Sequence, residues 1–135
     1  QQAEKKALEI LDAVGLIEKR EHYPSQLSGG QQQRIGIGRA MAVNPRVMLI
    51  DEPTSSLDPE LVGEVLALLY DLARNHTTMI IATHEMEFAR NIADYIIFIE
   101  DGKIIEEGDP EQFFNEPKTY RAQQFLKKFK KNDIG

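Results

Sequence analysis

Ser28-Gly29-Gly30-Gln31, the carboxylate pair Asp51-Glu52 at the end of an apolar run, and His84 are the residues of this chain whose types and spacing suit chemistry. A helix opening on Ser-Gly-Gly carries about half a positive charge and bare N–H groups, and the two glycines leave room for a phosphate to touch them. Taken alone, such a stretch is more often an ordinary capped helix. Asp51 and Glu52 follow Val47-Met48-Leu49-Ile50, where an apolar strand leaves the core and α/β proteins set ligand groups. Successive strand residues face opposite sides. One carboxylate can therefore hold a hydrated divalent metal while the other faces a water, a division suited to hydrolysing a phosphoanhydride. A solvated acidic turn before Pro53 is an equally good reading of the pair in isolation. His84 follows Thr83 after a second apolar run, from where an imidazole can donate a hydrogen bond to a phosphate oxygen, although most single histidines are structural. The sequence holds no Gly-x-x-x-x-Gly-Lys-Ser/Thr phosphate loop, since the one Gly-Lys pair, Gly102-Lys103, is followed by Ile104.

The elements that must position these residues follow from periodicity and punctuation. Ala7, Leu8, Leu11 and Val14 at helical spacing predict an amphipathic helix from Gln2 to Val14, stopped by Gly15. Ser28 with Gln31 three residues on forms a capping box, which predicts a helix to about Val43 before Asn44-Pro45 ends it. Gly36 and Gly38 inside that helix each cost roughly 1 kcal/mol against Ala, which means either close packing against a neighbour or merely a weak helix. Val47 to Ile50 is continuously apolar, as in a parallel strand covered on both faces. Leu61 to Ala73 reads as a helix, Met79 to Ala82 as a second buried strand, Met86 to Ile92 as a short helix and Tyr95 to Ile99 as a third strand. This alternation predicts a right-handed parallel α/β arrangement. Asp101-Gly102 predicts a hairpin that adds an antiparallel strand from Lys103 to Glu107. A short helix from Pro110 to Phe114 and an amphipathic one from Tyr120 to Lys131 complete the chain.

The 135 residues are enough for one ordinary domain or a piece of one. With 16 Lys plus Arg against 22 Asp plus Glu, the formal charge of −6 argues against a broad electrostatic grip on nucleic acid or an anionic membrane. Protein and nucleotide are the expected partners, with no nucleic acid. There is no cysteine, so disulfides and thiolate metal sites are excluded. Apolar runs such as Val47 to Ile50 are far too short to cross a bilayer, so any membrane attachment is expected to come through another protein. The first residue is Gln rather than Met, which leads to the expectation that further residues precede it. The lysines around Phe125, Leu126 and Phe129 are expected to be a solvated basic helix end rather than a membrane-surface helix.

In order, spacing and context the motifs resemble the ATP-binding subunits of ABC transporters over nearly the whole chain. Leu27 to Gln31, continued by Gln32, Gln33 and Arg34, is similar to the family's signature motif, Val47 to Asp51 to its Walker B strand, Ser56-Leu57-Asp58 to its D-loop and His84 to its switch histidine. Asp51 to Val62 and Thr83 to Arg90 most resemble the bacterial importers of polar amino acids. The resemblance implies an α/β fold, the C-terminal part of a P-loop NTPase-type ABC ATPase core with a mostly parallel sheet flanked by helices. Residues 1–44 would be part of the helical subdomain with the signature motif, 45–109 the C-terminal half of the ATPase core, and 110–135 the C-terminal helices. It implies ATP and Mg2+ as cofactors, and ATP sandwiched in a head-to-tail homodimer of two ATPase subunits. Permease subunits, and through them a substrate-binding protein, would be the other partners, at the cytoplasmic face of the inner membrane. Ser28, Gly29, Gly30 and Gln31 would serve the partner's nucleotide, Asp51 would hold magnesium through water, Glu52 would polarise the attacking water, His84 would contact the γ-phosphate, and Asp58 would link the two sites. The family's phosphate loop, adenine-stacking aromatic and Q-loop glutamine have no counterpart here. The chain is therefore expected to be an N-terminally truncated fragment, inactive alone, with apolar sheet surface left uncovered unless it self-associates. The alternative within the same resemblance is a soluble ABC ATPase acting in translation or DNA repair.

Overall fold

The fold is taken from a computed structural model, which describes residues 1–132. The expected C-terminal stretch therefore runs past the described residues at positions 133–135. The chain divides into two compact units, Gln1–His84 and Glu85–Gly135.

In the first unit, helix α1 (Gln2–Ala13) ends as its sequence demands. Gly15 takes φ +76°, and its N–H donates to Asp12 O (3.0 Å) while that of Leu16 donates to Leu11 O (2.7 Å), a Schellman stop in which glycine carries the left-handed residue. Helix α2 (Gly29–Ala42) packs on α1 at Gly38, where an added Cβ would lie 2.9 Å from Ile10 Cγ2; the same test at Gly36 meets nothing within 4 Å. Close packing thus accounts for Gly38, and Gly36 is only a weak point. Strand β1 (Met48–Asp51) pairs in parallel with β2 (Met79–Ala82), in the register Met48↔Met79 to Asp51↔Ala82. Between them helix α3 (Pro59–Arg74) buries Val65, Leu68, Leu69 and Leu72, a single apolar stripe at helical spacing.

The parallel pair departs from expectation on one face. Met48 is buried, but its neighbour Leu49 and Leu49's register partner Ile80 are 77% and 62% exposed. β1 and β2 are thus covered on one side only, and the apolar sheet surface anticipated from the sequence is open.

The second unit starts with helix α4 (Met86–Ile92) and continues with strand β3 (Ile96–Glu100), antiparallel to β4 (Lys103–Gly108). Asp101 and Gly102 both have positive φ, +51° and +73°, as a two-residue hairpin turn requires. The expected parallel pairing of a third strand is absent among the described residues, where β3 pairs with β4 and the parallel sheet has two strands. The antiparallel hairpin expected at Asp101-Gly102 does form, since a two-residue turn leaves almost no loop to close. Helices α5 (Pro110–Asn115) and α6 (Tyr120–Asn132) supply Phe113, Phe114, Ala122 and Leu126 to a core that includes Ala89 and Phe98. The Phe98 and Phe125 rings stack with centroids 4.8 Å apart. No helix among the described residues is long and apolar enough to cross a membrane.

Candidate functional site

The parallel register delivers the carboxylates and the histidine to the same ends of neighbouring strands. Asp51 is the last residue of β1 opposite Ala82, so Glu52 and His84 both lie just past the strand ends. The Glu52 N–H donates to Ala82 O (2.7 Å), and the Glu52 carbonyl accepts from the N–H (3.3 Å) and hydroxyl (3.1 Å) of Ser55. These bonds hold Glu52 at φ +43°, a left-handed conformation that costs a non-glycine residue about 1–3 kcal/mol. Its Oε1 lies 2.8 Å from His84 Nε2. An ionised carboxylate only accepts, so the ring nitrogen is the donor.

Both partners remain open to solvent, the side chain of His84 at 74% and that of Glu52 at 43%. Their arrangement leaves a strained carboxylate and an imidazole side by side, accessible to water and to a phosphate. Asp51 is exposed at the end of β1. No group of three or more metal-ligating side chains occurs among the described residues. A single carboxylate fits a magnesium ion, which keeps several of its waters and takes only one or two protein carboxylates.

The second group is built on helix starts. Ser28 caps α2: its Oγ accepts from Gln31 N–H (3.1 Å), and Gln31 Oε1 accepts from Ser28 N–H (3.0 Å), as the capping box predicted. The first N–H groups of the helix, on Gly29 and Gly30, have no carbonyl a turn earlier to bond. Ser28 and Gly29 are exposed, whereas Gly30 is buried, with Leu61 Cβ 3.2 Å from where its Cβ would be. Gly29 meets Leu57 in the same way at 3.4 Å, which places the start of α2 beside the turn holding Asp58. Asp58 is the N-cap residue of α3, yet its side chain makes no capping bond. The structure thus joins Glu52 with His84, and the Ser28–Gly30 helix start with the Leu57–Asp58 turn.

The residue that ties this second group together is Arg34, which the sequence marked only as continuing the Leu27–Gln31 motif, without its structural role. Arg34 on α2 donates from Nη1 to Val14 O (3.0 Å) and from Nη2 to Glu64 Oε2 on α3 (3.1 Å). Its partners are 20 and 30 residues away, and no local pattern marks them.

Comparison with known proteins meets this geometry. Residues 1–55 match the ABC transporter family. The chain is 56% identical over 126 residues to the L-cystine import ATP-binding protein TcyC of Bacillus subtilis, covering 93% of this chain and 51% of that protein. It is 54% identical over 128 residues to the arginine transport ATP-binding protein ArtM of the same organism, covering 95% and 53%. Among solved structures it superposes on the ADP conformation of an ATP-binding cassette of an ABC transporter with a TM-score of 0.77 and 26% identity, over 92% of this chain and 50% of that one. A dimeric, post-hydrolysis ATP-binding cassette bound to ADP and Pi matches with a TM-score of 0.65 and 40% identity, over 78% and 46%. The chain spans about half the length of the curated relatives it matches. With the motifs, the mixed α/β fold and the curated relatives in agreement, this chain belongs to the family of ATP-binding subunits of ABC transporters.

Proposed function

We propose that the chain supplies one part of an ATP-hydrolysing subunit that energises a bacterial importer of polar amino acids. The observation that carries this reading is the Glu52–His84 pair, 2.8 Å apart past the ends of two parallel strands and open to solvent. In it Glu52 polarises the water that attacks the γ-phosphate, and His84 donates to a phosphate oxygen. Asp51 would hold magnesium, which would supply positive charge against the phosphates. Ser28, Gly29 and Gly30, with Gln31 bracing the cap, offer their helix start to a nucleotide held by a second, head-to-tail copy of the subunit, and Asp58 lies at the seam between the two sites. Closure on ATP and reopening after hydrolysis then drive permease subunits at the cytoplasmic face of the inner membrane, to which a substrate-binding protein delivers the solute.

Relatives of near-equal identity are named for cystine, arginine, glutamate and glutamine, which supports amino-acid import; in this reading the choice of amino acid belongs to other subunits. The test is Glu52→Gln in the complete subunit: ATP hydrolysis falls at least 100-fold while ATP affinity stays within about twofold. Undiminished hydrolysis removes Glu52 from the chemistry.

A further inference from the structure

We infer that Arg34 is the positioning residue of the Ser28–Gly30 helix start, and that it works as a clamp whose other jaw is Glu64; this rests on the nucleotide role proposed for that helix start. Helix α2 has little rigidity of its own. Gly29, Gly30, Gly36 and Gly38 all lie within it, and each lowers helical propensity. Its orientation is therefore set by what it packs against.

Along the seam with α3 three contacts recur in order: Gly29 against Leu57, Gly30 against Leu61, and Arg34 against Glu64. The first two are van der Waals contacts of a hydrogen-only position and resist sliding weakly. The third is directional. The guanidinium lies over Gly15, with Nη1 3.1 Å from where a Cβ would be, so a side chain there would press on it. It bonds the Val14 carbonyl at the negative end of α1 and the Glu64 carboxylate on α3, and the Arg34 side chain is only 12% exposed. One planar group thus fixes α2 against two neighbouring helices, less than two turns from its first N–H groups. Anion recognition by those groups fails when they are displaced by an ångström, so the clamp governs nucleotide contact without touching nucleotide.

The experiment is steady-state ATP hydrolysis by the complete subunit carrying Arg34→Met, Arg34→Lys or the exchange Arg34→Glu with Glu64→Arg, paired with amide hydrogen exchange on the 135-residue chain. A positioning role raises the KM for ATP about tenfold in Arg34→Met with kcat within twofold, is partly rescued by Lys, and speeds exchange at Gly29 to Gln33 while β1 and β2 keep their protection. A purely structural role lowers kcat through loss of folded protein, leaves KM unchanged and raises exchange throughout the unit; that result overturns the inference. Absence of hydrolysis in the unsubstituted subunit would instead refute the proposed function, and local exchange at Gly29 to Gln33 would still decide whether Arg34 positions the helix.

Discussion

Glu52 and His84 sit in contact yet exposed, and an exposed polar contact of this kind contributes at most about 1 kcal/mol to stability. The left-handed backbone of Glu52 costs about 1–3 kcal/mol, so the arrangement does not serve stability, in keeping with the role proposed for the pair. His84→Ala should accordingly leave the thermal stability of the chain within about 1 kcal/mol, while lowering ATP turnover of the complete subunit about 100-fold. Calorimetric unfolding and a phosphate-release assay measure the two halves; a large loss of stability would make His84 structural. Asp58 has a similar character, because it occupies the N-cap of α3 and makes no capping bond, whereas Asp109 at the start of α5 accepts from Glu111 and Gln112 N–H. Identical residue types at identical helix positions are thus spent differently. Residue types and spacing pointed to Glu52 and His84 and the family resemblance to Asp58, but neither distinguishes these two aspartates.

Elements were legible wherever the signal was local. Gly15, the Ser28–Gln31 box and Asp101-Gly102 each act within six residues, and each forms as the sequence reads. Long-range choices were not legible: the Arg34–Glu64 bond and the anchoring of α6. That anchor is Glu106 on β4, 6% exposed, whose carboxylate accepts from the N–H groups of Lys118 (3.0 Å) and Thr119 (2.7 Å) and from the Thr119 hydroxyl (2.9 Å) at the start of α6. Burial pushes its pKa up, and the Thr119 and Lys118 N–H bonds, with help from the Thr119 hydroxyl and Gln112, outweigh burial and hold it below the ordinary 4.5. A carboxyl whose folded pKa is depressed stabilises fully above its unfolded value, and that contribution disappears as pH falls through the lowered folded value. Acid unfolding of the second unit should therefore set in below pH 4.5 in the native chain. Glu106→Ala should cost about 2–4 kcal/mol at pH 7 and lose less than the native chain on acidification. Urea unfolding at pH 7 and pH 3, followed by circular dichroism, measures both; equal acid sensitivity of variant and native chain would count against the anchor.

At the scale of the whole molecule, two observations frame the account. Leu49 and Ile80 lie open on one sheet, as Ile97, Ile99 and Ile104 do on the other, and a chain spanning half the length of its relatives presents apolar strands that its own helices do not cover. The candidate chemistry is likewise divided, with Glu52 and His84 at strand ends and Ser28 to Gly30 at a helix start beside the Asp58 turn. The fold class was legible because alternating apolar runs and helical stripes are properties of the sequence itself; which surfaces stay open depends on contacts that no window of sequence contains. In the proposed function the Ser28 helix start serves the nucleotide of a second subunit and not that of its own. Single-turnover ATP hydrolysis in obligate mixed dimers tests it most directly, using Ser28→Arg and Glu52→Gln. If the helix start acts in trans, placing the two substitutions on different subunits spoils one shared site and leaves the other whole, so about half of the native burst remains. Placing both on one subunit then spoils both sites and abolishes the burst. The reverse order of activities would contradict the account.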